Sequence, residues 1–192
     1  CLLYDDEESK ILPLEFNGIH SSNVSAGHRF LSPSNFSVSS YEDYQEKMRH
    51  RYVILDRQKR KEKIWKEASN IAFAVGLELV EDKDLLEEVT GLVEWPVTLM
   101  GKIDKAFLTL PPEVLQVSMR EHQKFFSLRD KDTRIIESFI MVANIASEDN
   151  GRQVVLGNQR VLSARLSDAK FFWENDLRKI KLNGYQSFSK KL

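Results

Sequence analysis

Apolar and polar positions are patterned most sharply between Leu92 and Ala143. Phe139-Ile-Met-Val-Ala143 is apolar at every position, and so short a run without alternation predicts a central strand covered on both faces. Lys124 to Arg129 predicts the strand before it, joined by a hairpin turn at Asp130-Lys-Asp-Thr133. Upstream, Pro111 and Pro112 suit the first turn of a helix, where a missing N–H is no loss. Glu113 there faces the positive end of the dipole, and the helix is expected to reach about Arg120. Leu92 to Ile103 reads as a strand interrupted at Pro96 and closed by Gly101.

The flanks are less regular. Leu2–Tyr4 and Lys10–Phe16 on either side of the acidic Asp5–Ser9 predict a hairpin with Pro13 on an edge. Gly18–Phe36, rich in Ser, Asn and Gly, predicts a loop. Ser39 and Ser40, three residues before Glu42 and Asp43, are capping-box arrangements for a long helix over 39–78. Its apolar positions are Tyr41, Tyr44, Met48, Tyr52 and Leu55, then Ile64, Ala68 and Ile71, with Gly76 stopping or kinking it. Leu79–Val89 predicts a short helix with Leu85, Leu86 and Val89 inward. Ala146–Gly157 predicts a loop, and Asn158 a cap for a C-terminal helix over 157–180 with an apolar stripe at Val161, Leu162, Leu166, Ala169, Phe172 and Trp173. Arg165 and Asp168, three apart, are placed to pair across one turn. The expected fold class is α+β: a mixed, largely antiparallel sheet packed against a long basic helix and an aromatic-rich C-terminal helix. One domain spans 1–182 (hairpin and loop 1–38, long helix 39–78, central sheet 92–146, C-terminal helix 157–180), and 183–192 begins a linker. Cys1-Leu-Leu-Tyr4 reads as strand with no initiator methionine, which suggests an excerpt of a longer protein.

Composition narrows the function classes. The chain has 192 residues, 42% hydrophobic and 30% charged, enough for one good core, or one core with a satellite. A net charge of -1 gives no global attraction to nucleic acid, so RNA contact must rest on a local patch. No apolar run is long enough to span a bilayer and no signal peptide is visible, so no membrane partner is expected. The single cysteine, Cys1, fits a reducing, cytoplasmic setting. Asn23-Val-Ser25 and Asn35-Phe-Ser37 match the glycosylation pattern, but without a secretory feature they read as chance.

Candidate chemistry is sparse. Arg57, Lys59, Arg60, Lys61, Lys63 and Lys66, relieved only by Glu62, form the strongest basic run. It is either a solvated helix face or a contact for the RNA backbone. Arg120, His122 and Lys124 alternate at a helix-to-strand junction and could project together as positive charge. Gly27-His28-Arg29-Phe30 is a compact donor cluster. Either Phe30 plugs the core while His28 and Arg29 satisfy loop carbonyls, or the loop binds a phosphate or a partner carboxylate through the guanidinium fork. The histidines His20, His28, His50 and His122 are scattered, so no metal site is supported, and the carboxylates Glu81, Asp82, Asp84, Glu87 and Glu88 lack an ordered ligand set. There is no glycine-rich phosphate loop and no nucleophile elbow, so no catalytic residue is assigned and no cofactor is expected in this chain.

Several ordered motifs resemble the beta subunit of bacterial heterotetrameric glycyl-tRNA synthetases. They are Gly27-His-Arg-Phe30, Leu92-Val-Glu-Trp-Pro96, Leu110-Pro-Pro-Glu-Val114, Met119-Arg-Glu-His-Gln-Lys124 with Phe126, and Val142-Ala-Asn-Ile145. Gly157-Asn158, Arg160-Val-Leu162, Ala164-Arg-Leu166, Asp168-Ala169 and Phe171-Phe172 follow. Phe125 departs from the family's usual tyrosine. The resemblance implies a piece from the N-terminal half of that subunit, with tRNA(Gly), an alpha subunit and the remaining beta domains as partners. ATP with magnesium would then be used by the alpha subunit. It also implies likeness to the editing-type domain of phenylalanyl-tRNA synthetases. The implied role is non-catalytic tRNA recognition and assembly, with Arg57, Lys59, Arg60, Lys61, Lys63, Arg120, His122 and Lys124 as RNA candidates and His28 and Arg29 as a phosphate or partner loop. The alternatives are hydrolysis of mischarged tRNA, with His122 as base, and a purely structural interdomain module.

Overall fold

The computed structural model describes residues 2–5, 8–145 and 147–189, with side chains described over 10–145 and 147–180. A four-stranded sheet organises them, formed by β7 (Glu78–Leu79), β8 (Val97–Lys102), β9 (Phe126–Arg129) and β10 (Ile136–Ala143) in the order β7-β9-β10-β8. Every pairing in it is antiparallel, which corrects the mixed sheet expected. β10 is central as its unbroken apolar run predicted. Phe139 and Met141 point to one face and Ile140 to the other, following the two-residue period of a strand.

Helices cover both faces. On one side Phe139, Phe125, Met119, Leu115, Leu162 and Leu166 form a core beneath α4 (Pro112–Ser118) and α5 (Arg152–Ser189). On the other, Ile140, Phe126 and Leu128 meet Ile64, Ala68 and Ala72 of α2 (Arg57–Ala74) and Leu85, Leu86 and Val89 of α3 (Lys83–Leu92). The N-terminal part adds short antiparallel pairs: β1 (Leu2–Asp5) with β2 (Glu8–Ile11), β3 (Glu15–Phe16) with β4 (Ile19–His20), and β5 (Val24–Ala26) with β6 (Asn35–Ser37). β4, β5 and β6 thus replace much of the expected 18–36 loop. The first hairpin is present but ends before Pro13. Its acidic turn at 6–7 lies outside the described residues, as does Cys1. A satellite core of Phe36, Val38, Met48 and Val53 ties this part to α1 (Tyr41–His50).

The expected helix over 39–78 is two helices. Ser40 caps α1, its hydroxyl accepting the Asp43 N–H at 3.1 Å while Asp43 Oδ2 accepts the Ser39 N–H at 2.8 Å. At Tyr52 the backbone turns left-handed (φ 60°), which buries Val53 in the satellite core and breaks the helix. Asp56 then caps α2 by accepting the N–H groups of Gln58 and Lys59 at 2.8 and 3.2 Å. Gly76, at φ +72°, stops α2 as expected.

Other boundaries move. α3 absorbs Leu92, so the strand expected from there starts only after Pro96, and Leu79 belongs to β7. Beyond Ser118 the chain makes one π-helical turn, Met119–Gln123, and leaves it through Lys124 at φ 58°. α5 begins at Arg152 rather than 157. Asp149 accepts the Gly151 and Gln153 N–H groups at 3.1 and 2.7 Å, leaving Asn158 inside the helix with its amide on the Val154 carbonyl. The helix also continues through 183–189, where the sequence suggested a linker. Arg165 and Asp168 form no ion pair among the described residues.

At the β7 edge, Arg129 grips Glu78 with Nε and Nη2 at 2.7 and 2.8 Å, and Arg134 Nη1 adds a third contact at 2.9 Å. The hydrogen bond from Arg129, aided by the charges of both arginines, holds the Glu78 carboxyl below the ordinary glutamate range. A depressed folded value means stabilisation present above the unfolded value and lost as pH falls through the folded one. Urea midpoints of wild type and Glu78→Gln are therefore expected to differ at neutral pH and to converge under acid conditions below the ordinary glutamate range.

Candidate functional site

The basic run lies on α2, but α3 packs an acidic face against it. Arg57 and Lys61, one turn apart, both reach Glu87: Arg57 Nη2 is 3.0 Å from Oε2 and 2.9 Å from the Glu87 carbonyl, and Lys61 pairs with Oε1. The hydrogen bonds from Lys61 and Arg57 hold the Glu87 carboxyl below its ordinary range. Lys63 pairs with Glu67 on its own helix, and Glu67 Oε2 also accepts from Thr98 at 2.9 Å. Arg60 donates to the carbonyls of Ile54, Leu55 and Thr90, the last two at 2.9 and 3.3 Å. Each exposed pair stabilises by only about 0–1 kcal/mol, and together they set two carboxylates, Glu87 and Glu67, against three of the run's cations. Lys59, Arg60 and Lys66 have no ion-pair partner among the described residues, and of the three only Arg60 is held by backbone carbonyls.

The second group behaves the same way. Arg120 turns back to Asp82 (Nε to Oδ2, 2.7 Å) and to Glu121, which raises its pKa, and Lys124 pairs with Glu88 at 2.8 Å. His122 is exposed on the π turn and has no hydrogen-bond partner among the described residues. The three residues share one turn, but two of them are directed at acids of the α3 region.

The Gly27–Phe30 cluster inverts the core-plug expectation. His28 is the buried member, at 1% exposure, whereas Phe30 is 69% exposed. His28 Nδ1 accepts the N–H groups of Phe30 and Leu31, both at 3.2 Å, so that nitrogen carries no proton. The His28 N–H reaches the Arg51 carbonyl at 2.9 Å, and a Cβ on Gly27 would come within 2.5 Å of the Arg51 Cβ, so the loop is seated tightly on the end of α1. Arg29 lies over the Phe30 ring, 5.8 Å from its centre.

This loop forms one wall of a groove of about 480 Å³. Gly91–Glu94, Val53–Leu55, Arg60 and Asn144 complete its lining. Asn144 Oδ1 accepts the N–H groups of Glu94 and Trp95 at 2.8 and 2.9 Å, which fixes the Gly91–Glu94 segment to the end of β10. Trp95 then stands edge-on to Tyr52 at 5.4 Å. A second groove, about 460 Å³, shares the Val53–Leu55 segment and is lined by Arg49, His50, Lys59 and three carboxylates, Glu42, Glu46 and Asp56.

Comparison with known proteins decides what kind of chain carries these grooves. The family model described as glycyl-tRNA synthetase beta subunit matches residues 1–190. The chain belongs to this family. It is 58% identical over 178 residues to the glycine-tRNA ligase beta subunit of Ruegeria sp. (strain TM1040), covering 93% of this chain and 26% of that one. With the corresponding subunit of Cereibacter sphaeroides (strain ATCC 17023) it shares 52% over 192 residues, covering 100% and 28%. With that of Phenylobacterium zucineum (strain HLK1) it shares 50% over 177 residues, covering 91% and 26%. The chain spans about a quarter of the length of the curated relatives it matches.

Three of the motifs that resemble the glycyl-tRNA synthetase beta subunit therefore converge: Gly27–Phe30, Leu92–Pro96 and Val142–Ile145 meet around one groove. Sequence reasoning missed this because the Asn144 bonds to Glu94 and Trp95 span 50 and 49 residues. It also passed over Arg49, whose guanidinium has no carboxylate partner among the described residues. Among the described residues no group of three or more His, Cys, Asp or Glu could hold a metal ion, and no helix is long and apolar enough to cross a membrane.

Proposed function

We propose that this region is a non-catalytic tRNA-placing and assembly module of a glycine-tRNA ligase beta subunit, acting while an alpha subunit joins glycine to tRNA(Gly) with ATP and magnesium. The observation that carries this reading is the grouping of Arg29, Arg49 and Lys59, cations without carboxylate partners among the described residues, around the two grooves that meet at Val53–Leu55. RNA phosphates are contacted by such cations even on a neutral chain, and here the net positive charge lies in the groove of Arg29, since Glu42, Glu46 and Asp56 stand beside Arg49 and Lys59. Arg57, Lys61 and Lys63 would have to release Glu87 and Glu67 first, so Lys59 is the member of the run best placed to contribute.

The test is photocrosslinking of the assembled alpha–beta enzyme to its tRNA, combined with charge reversal. Capture of peptides spanning 28–30 or 49–59 is expected, and Lys59→Glu should weaken tRNA binding several-fold and flatten its salt dependence by about one phosphate contact. Capture only in other parts of the beta subunit, with Lys59→Glu unchanged, would overturn the reading. One feature favours a bracing role alongside it: Phe171, Phe172 and Ile180, within α5, are 62, 65 and 67% exposed, large apolar side chains of the kind that mark contact surfaces when grouped.

A further inference from the structure

We infer that the groove lined by the 28–32 loop and Gly91–Glu94 holds one unpaired nucleotide of the bound RNA, its base stacked on Phe30 and its phosphate on Arg29. This rests on the tRNA-placing reading and names the site within it.

Phe30 is an apolar ring left 69% exposed on a loop whose backbone is held. The buried His28 ring accepts its N–H and that of Leu31, and the Ser32 N–H closes the loop on the His28 carbonyl at 2.9 Å. The backbone that carries the ring is thus fixed in advance, which lowers the ordering entropy that stacking must spend. Aromatic side chains bind successive bases through their faces whatever the base, and Arg adds its positive charge beside them. Arg29 meets that requirement: it lies over the ring and has no carboxylate partner among the described residues.

Charge decides which groove takes the phosphate. This one sets two guanidinium groups, Arg29 and Arg60, against the single carboxylate of Glu94. Its neighbour sets Arg49 and Lys59 against Glu42, Glu46 and Asp56. Arg60 has committed donors to backbone carbonyls, so it contributes field while Arg29 makes the contact. A volume of about 480 Å³ falls within the ~300–1,000 Å³ usual for small-ligand sites. With Oδ1 occupied, the Asn144 amide offers its NH₂ to a base edge. A base inside a duplex already has both faces stacked on its neighbours, so a base that stacks on Phe30 must be unpaired.

The experiment measures tRNA affinity of the assembled alpha–beta enzyme against salt for wild type, Phe30→Ala, Phe30→Trp and Arg29→Ala, with crosslinking in parallel. Both side chains are exposed, so the variants should fold. Phe30→Ala is expected to weaken binding about 5- to 150-fold with an unchanged salt slope, the effect of losing one base stack. Phe30→Trp should retain affinity, and Arg29→Ala should reduce the slope by about 0.7–0.9. Wild-type affinity and slope in both alanine variants would overturn the site. Loss of subunit assembly at unchanged RNA affinity would also overturn it, by showing that a protein segment fills the groove. If the site fails while peptides 49–59 still crosslink and Lys59→Glu still weakens binding, the tRNA-placing reading survives. If those signals vanish as well, both fall.

Discussion

Phe139→Ala is expected to lower the stability of the chain by about 3–5 kcal/mol, the range for truncating a fully buried aromatic. Phe139 has no exposed surface, stacks on Phe125 with centroids 4.6 Å apart and planes 6° from parallel, and stands in register with Gly101 on β8. Its ring occupies the space a side chain at 101 would need: a Cβ there would meet ring atoms at 2.3 and 2.8 Å. Gly101→Ala should therefore cost about 1–3 kcal/mol by overpacking. The two changes are not independent. In the double variant the new methyl enters space the ring has left, so the combined loss should fall short of the sum of the single losses. Urea unfolding of the four proteins measures this directly, and simple additivity would mean that the ring and the glycine do not share that space.

The central strand was legible because its cause is local. Five consecutive apolar residues require cover on both faces, and the helices on either side supply it. The two-helix outcome over 39–78 was not legible in the same way. Tyr52 and Leu55 continue the helical spacing of Tyr41, Tyr44 and Met48, but Val53 gains more by entering the Phe36–Met48 core than the turn loses by adopting a left-handed residue. The start of α5 was misplaced for a related reason. Asn158 is an acceptable cap by type, yet Asp149 and Gly151 sit where a cap and a left-handed turn can act together, and only the approach to Leu99 reveals it. The basic run shows the sharpest limit. Its charges were plain in the sequence, but the acid that binds two of them, Glu87, lies on α3. Net field is a property of packing, and a charge run by itself says little about it.

Arg60 makes that limit testable, with a large expected effect. Its guanidinium ties α2 to two other segments, through the Ile54 and Leu55 carbonyls of the inter-helix linker and the Thr90 carbonyl near the end of α3. Charge-assisted hydrogen bonds to partly buried carbonyls stabilise by about 1.5–3 kcal/mol, and truncation would leave those acceptors short of donors. Arg60→Ala is therefore expected to destabilise the chain by about 2–3 kcal/mol. Arg60→Lys separates geometry from charge. A single ammonium keeps the positive field of the groove but cannot span three acceptors fixed around a planar fork, so most of the stability should still be lost. RNA affinity of the lysine variant, measured well below its unfolding temperature, should stay near wild type. A residue whose task was to meet a phosphate would behave in the opposite way: lysine would preserve stability, and alanine would leave folding intact while lowering the salt slope of RNA binding by nearly one. That opposite pattern would return Arg60 from the scaffold of the groove to its contact surface.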